Sequence, residues 1–183
     1  IYIERLVTAS PRDGDLQFKL GRALVAVQDH RRALEAFQRA IALDPANVPA
    51  YTELADLLRN KLSRPQHADE AIEQMVKANP KSGRAFLERA RYAWRAGRRD
   101  PALADIVQAE ALTPDDLEVL LTASEFALAR ADYASAQTHL ERAGRVAPDD
   151  DRVDRLLITL KTNLGETDEA IALLQKVIDR NPD

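Results

Sequence analysis

The chain has 183 residues, 45% hydrophobic, 5% aromatic and 31% charged, with a net charge of −4 and no cysteine. The length suits one ordinary domain or a short array. The mild acidity argues against a dedicated nucleic-acid binder, and the absence of cysteine excludes disulfides, thiolate metal sites and a cysteine nucleophile. No apolar run approaches the ~20 residues that a helix needs to cross a bilayer.

Six of the nine prolines keep a beat. Pro11, Pro45, Pro80, Pro114, Pro148 and Pro182 fall 34, 35, 34, 34 and 34 residues apart by subtraction. Self-similarity at this period signals stacked helical units. Ile1 to Val7 reads as the tail of a helix from an upstream unit that Pro11 closes, so residues 1–13 are expected to end a unit begun earlier in a longer protein. The next unit, residues 14–47, reads as two helices. Leu20, Gly21 and Leu24 share a face of the first, and Ala33, Leu34, Phe37, Ala40 and Ile41 share a face of the second. Gln28-Asp29-His30 is a polar break of the length that joins antiparallel neighbours. Pro45 cannot continue a helix and turns Asp44 out of the helical region.

The pattern Leu20, Gly21, Leu24, Ala33, Phe37, Ala40, Pro45 resembles the tetratricopeptide repeat consensus. The resemblance covers essentially the whole chain. It implies an all-α fold, a right-handed α-α superhelix (solenoid) of about five helix-turn-helix repeats in a single array. Small residues at Gly21, Ala33 and Ala40 would let the helices approach closely.

The second repeat, residues 48–82, is irregular. Tyr51, Leu54, Ala55 and Leu58 fit a first helix. One register places a four-residue insertion around Leu62 to Pro65, with Ala71 in the small position of a shortened second helix. The other places Ala68 there and forces Met75 into a position that wants alanine, so the Ala71 register is preferred. The third repeat, 83–116, carries Phe86, Ala90, Gly97, Ala102, Ile106 and Ala109, with Arg89 where leucine is usual. The fourth, 117–150, carries Leu120, Ser124, Ala136, Leu140 and Ala143. The fifth, 151–183, carries Leu157, Gly165, Ala170, Leu174 and Val177. Ile171, Leu174 and Ile178 at the end, like Ile1, Ile3 and Leu6 at the start, have no neighbouring repeat to cover them. Either the chain continues in a longer protein, or it self-associates through these uncapped helices and forms concentration-dependent dimers.

Residues for chemistry are sparse. His30, His67 and His139 have no metal-ligand spacing and read as solvent-facing. Asp115-Asp116 and Asp149-Asp150 follow prolines at helix starts, where negative charge favours the helix dipole. The six glycines are scattered and form no phosphate loop. No catalytic residue, metal ligand or cofactor is expected.

The family lines its concave groove with first helices. By that resemblance, the ninth residues of the first four repeats, Arg22, Asp56, Arg91 and Glu125, form a groove ladder of alternating charge. They would meet either a zwitterionic peptide or one another. Leu87 and Trp94, with Leu121 and Leu128 one repeat on, read as an apolar patch rimmed by Arg91, Arg95 and Glu125. Ordinary packing between repeats is the competing reading. Trp94 is the expected anchor, since tryptophan and arginine are enriched at binding hot spots. Arg84, Arg91 and Arg95 share a face of the third repeat that would suit a polyanion, unless nearby carboxylates neutralise it. One family subtype clamps chaperone C-terminal peptides with two lysines, two asparagines and an arginine. Starting from the first repeat, this chain offers Phe18, Arg22, Glu53, Arg84 and Glu88. Starting from the second it offers Thr52, Asp56, Glu88, Glu118 and Thr122, and from the third Leu87, Arg91, Thr122, Arg152 and Leu156. None matches.

The expected function is therefore a non-enzymatic scaffold that binds a peptide or protein partner in the groove. The alternatives are a substrate-recruiting arm of a larger enzyme, such as one resembling tetratricopeptide-fused glycosyltransferases, or a polyanion-binding surface. No secretory signal stands out, and a soluble chain in cytoplasm or periplasm is compatible with the sequence. Arginine outnumbers lysine 20 to 6, which points to a GC-rich bacterial source.

Overall fold

The computed structural model describes residues 2–180. Ile1 and Pro182, named above at the leading helix and the last periodic proline, lie outside the described residues. Every regular element among the described residues is helical. They are α1 (Tyr2–Ala9), α2 (Gly14–Ala26), α3 (His30–Leu43), α4 (Val48–Asp56) with a π turn over Leu57–Lys61, and α5 (Pro65–Ala78). There follow α6 (Gly83–Arg95), α7 (Arg99–Leu112), α8 (Leu117–Ala129), α9 (Tyr133–Val146), α10 (Asp151–Leu164) and α11 (Thr167–Arg180). Contacts divide the chain into two compact units, Ile1–Arg89 and Ala90–Asp183.

The turn inside four of the five pairs follows one rule. Gln28, Gly97, Ala131 and Gly165 take left-handed conformations with φ of 61°, 75°, 57° and 76°. The next amide then bonds back five residues, Asp29 to Leu24, Arg98 to Ala93, Asp132 to Ala127 and Glu166 to Lys161, each at 2.9 Å. This closes the free carbonyls of the first helix. Where that next residue is aspartate it also caps the second helix. The Asp29 carboxylate accepts from the Arg32 amide and Asp132 from the Ser135 amide, both at 3.2 Å. Asp116 and Asp150 cap α8 and α10 in the same way.

In the first unit, α1 packs on α2, α2 on α3, α3 on α4 and α4 on α5. The start of α2 meets the end of α3, so the pair is antiparallel: Gly14 lies 3.4 Å from the Ala40 carbonyl and the Leu43 side chain, measured from an ideal Cβ. Ala33, Phe37 and Ala40 are fully buried. Pro45 acts as expected, with α3 ending at Leu43 and Asp44 outside the helical region at φ −135° and ψ 89°.

The second repeat corrects the preferred register. Helix α5 has 14 residues, as many as α3, and is not shortened. Ala68 is the fourth residue of α5, as Ala33 is of α3, and it is fully buried. Met75 therefore occupies the place of Ala40 and is also fully buried. Its flexible thioether can fill a space shaped for a smaller residue. The extra length is one residue, matching the single 35-residue proline interval. The π turn absorbs it: the Leu62 amide bonds to the Leu57 carbonyl at 3.1 Å, five residues back. Arg89, unusual in its position, holds Glu73 at 2.9 Å and lies over the Phe86 ring at 5.6 Å.

In the second unit, two buried clusters run side by side. Leu120, Leu121, Ala143 and Val153 form one, and Ala127, Ala136, Leu140 and Leu160 the other, with Leu156 and Leu157 packed against both. They hold α8, α9 and α10 together and so set which faces of α8 and α10 remain open.

Two substitutions test this packing with opposite signs. A Cβ at Gly21 would sit 2.5 Å from the fully buried Phe37 ring. Gly21→Ala should therefore lose about 1–2 kcal/mol, because overpacking outweighs the helix propensity gained. Ala131→Gly should gain about 0.5–1 kcal/mol by relieving a left-handed alanine. Urea unfolding of the two variants measures both; equal signs would contradict the packing described.

Candidate functional site

The first turns of α8 and α10 and the middle of α6 bring together a set of charges. Glu118 lies in the first turn of α8, where a carboxylate is favoured by the helix dipole. Arg91 donates to it at 2.9 Å from one side, and Arg152 donates to it from the other. Arg91 also bonds the buried Thr122 hydroxyl at 2.8 and 3.1 Å, and that hydroxyl donates to the Glu118 carbonyl at 2.8 Å. Arg152 turns its remaining nitrogens to Asp150, at 2.9 and 3.1 Å. The result is a chain of paired charges, Arg91–Glu118–Arg152–Asp150, across three helices. It pulls the Glu118 and Asp150 carboxyls below their usual range and raises Arg152 above its own.

Beside this chain opens a cleft of about 240 Å³, lined by Arg91, Glu118, Leu121, Glu125, Arg152, Arg155 and Leu156. Leu121 is buried at its floor and Leu156 half-buried, while Glu125 and Arg155 are exposed. Three residues expected from the sequence, Arg91, Leu121 and Glu125, meet here. Glu118, Arg152, Arg155 and Leu156 were not singled out as site residues. The signal that could have found them is their place early in the first helices of consecutive repeats.

The other expected residues lie elsewhere. Leu87 is fully buried and does not line the cleft, so it packs between helices, whereas Leu121, buried too, keeps a face on the cleft floor. Leu128 is half-buried against the Ala127–Leu140 cluster. Trp94 is half-buried and already engaged. It stacks on Phe126 at 3.9 Å with 6° between the planes, and the Arg99 guanidinium lies 3.8 Å over it. Arg95 is exposed and does not line the cleft.

Two ninth residues of the ladder find partners early in the next repeat. In the first unit Arg22 approaches Glu53 at 3.7 Å, and in the second Arg91 pairs with Glu118 and Thr122. Each arginine thus reaches the second or sixth residue of the next repeat. Helical side chains lean toward the N-terminus of their own helix, which carries them toward those earlier positions. The Arg-rich helix is largely neutralised, since Arg84 pairs with Glu88 at 2.7 Å and Arg89 and Arg91 are paired as above. His139 is a further correction. It is mostly buried, 3.6 Å from Glu110, which Arg142 also holds. Among the described residues no group of three or more His, Asp and Glu could hold a metal ion, and no helix is long and apolar enough to cross a membrane.

The frame should respond to acid. Glu118 is held below its ordinary pKa of 4.5, first by the hydrogen bond from Arg152 and then by that from Arg91. A depressed carboxyl contributes stability that is present above its unfolded pKa and is lost as pH falls through the lower folded value. Glu118→Gln should therefore lower the urea midpoint at neutral pH, with the gap to wild type closing below about pH 4. A gap that persists unchanged into acid would contradict this assignment.

Family models described as tetratricopeptide repeat match residues 14–57, 61–116 and 127–183, most of the chain in all. A search of curated proteins found no match. Solved structures resemble the fold. Yeast Tom70 superposes with a TM-score of 0.81 at 20% identity, over 100% of this chain and 39% of that one. This chain thus spans well under half of Tom70. PilW, a type IV pilus biogenesis factor, gives 0.77 at 14% identity over 98% of this chain and 83% of that one. YrrB, a TPR protein with an unusual peptide-binding site, gives 0.64 at 18% identity over 99% and 93%. At these identities the likeness shows the fold alone, an α-α solenoid of helix-turn-helix repeats, a framework that in general supports protein–protein interaction. The chain belongs to the tetratricopeptide repeat family.

Proposed function

We propose that this chain is a non-enzymatic interaction module that holds a peptide or protein segment in the cleft between α6, α8 and α10. The observation that carries the reading is the cleft itself, with an apolar floor at Leu121 and Leu156 inside a frame of charges that pair with one another. Such a frame is ordered before any partner arrives, so binding loses little further side-chain freedom. Its volume of about 240 Å³ is below the ~300–1,000 Å³ usual for small-molecule sites and suits one or two peptide side chains. YrrB, with a similar fold, is a peptide binder, which supports the reading. A recruiting arm of a larger enzyme would use the same cleft and differ only in what is joined to it.

Peptides selected by display against the chain test this. A photoreactive residue in place of the exposed Arg155 should capture them. The same residue in place of Gln108, exposed on the second helix α7, should not. Capture at Gln108 and not at Arg155 would overturn the cleft.

The surface of α11 supports a second contact, between copies of the chain. Ile171, Leu174 and Ile178 are 58%, 46% and 58% exposed, whereas Phe37 and Leu140, which correspond to Leu174 in earlier repeats, are fully buried. Light scattering should detect association that grows with concentration and disappears in an Ile171→Glu, Ile178→Glu double variant. A strict monomer at high concentration would exclude it.

A further inference from the structure

The charges lining the cleft are not equivalent: some hold one another and two do not. Glu118 accepts from two arginines. Every guanidinium nitrogen of Arg152 donates to Glu118 or Asp150. Arg91 is held by Glu118 and Thr122. These groups form a closed network, and a ligand drawing on one of them must break a bond already made. Two lining charges stand outside it. Glu125, on α8, is exposed and makes no ion pair among the described residues. Arg155, on α10, is exposed and donates only to the Asp151 carbonyl of its own helix, at 3.2 Å. One is an anion and the other a cation, on neighbouring first helices, and Leu121 and Leu156 line the same cleft.

Resting on the cleft reading above, we infer that the bound segment carries one basic and one acidic side chain flanking a compact aliphatic residue. The basic group answers Glu125, the acidic group answers Arg155, and the aliphatic residue sits over Leu121 and Leu156. Opposite charges at two fixed points also set the direction in which the segment runs. A uniformly acidic or uniformly basic segment would satisfy one point and be repelled at the other. The paired frame excludes the simpler alternative of an anion trap, because two of its three arginines are already neutralised.

The test is an array of fluorescent heptapeptides with a central valine, flanked by Lys and Asp in either order, by two Lys, by two Asp or by two Ser. The array is titrated against wild type, Glu125→Lys, Arg155→Glu and the double variant. Both substitutions lie at exposed positions, and circular dichroism checks that the fold is retained. One mixed-charge order should bind wild type about fivefold more tightly than the uniform peptides, an advantage that shrinks as salt rises. Glu125→Lys should shift the preference to the two-Asp peptide and Arg155→Glu to the two-Lys peptide. The double variant should prefer the reversed mixed order. If peptides bind through Leu156 with no charge preference, or if the reversals change nothing, the charge assignment is wrong and the cleft reading stands. If no member of the array binds while display-selected peptides are captured away from Arg155, both fail.

Discussion

The closeness of paired helices is the constraint from which the rest follows. At Gly21 the backbone of α2 lies so near the Phe37 ring that even a methyl group would intrude. The same demand recurs as fully buried alanines, Ala33 and Ala40 in one repeat and Ala136 and Ala143 in another. Contact at this range leaves few ways to dock one helix on the next, because interiors pack as densely as organic crystals. The phase of each first helix is thereby set, and with it the residues that remain outside the core. The cleft at Arg91, Glu118 and Arg155 is a product of that phase.

Polar groups do a different job. Aspartates stop and start helices at the turns, where Asp29, Asp116, Asp132 and Asp150 supply acceptors to amides that have no partner inside a helix. On the open face, arginines reach from one repeat to carboxylates of the next. A pair as exposed as Arg22 and Glu53 adds little stability, and the half-buried Arg91 and Glu118 add more. Their value lies in arranging the surface, since they hold long side chains in place and leave Glu125 and Arg155 as the cleft charges outside the network.

The one irregular repeat shows how the array tolerates an insertion. An added residue in a helix would rotate everything after it by about a quarter turn. The π turn at Leu57–Lys61 confines that rotation to one turn, and α5 resumes with Ala68 in phase. Sequence reasoning missed this because it weighed Met75 against an alanine rule and preferred a longer insertion. Side-chain flexibility overrode the rule.

Proline spacing, the alternation of small and large apolar residues and the aspartates at turns were enough to read the repeats, their helices and their family, because these are local demands of backbone and close packing. The partners of surface charges were not readable in the same way. Arg22 and Arg91 could each reach several carboxylates, and only the stacking of helices, with side chains leaning toward their own N-termini, paired them with Glu53 and Glu118. Trp94 shows the same division. Its type suggested an exposed anchor, but Phe126, distant in sequence, and Arg99, just past the turn, enclose it in a stack. Repetition is written residue by residue in the chain, whereas the contents of a cleft depend on which residues several helices bring together.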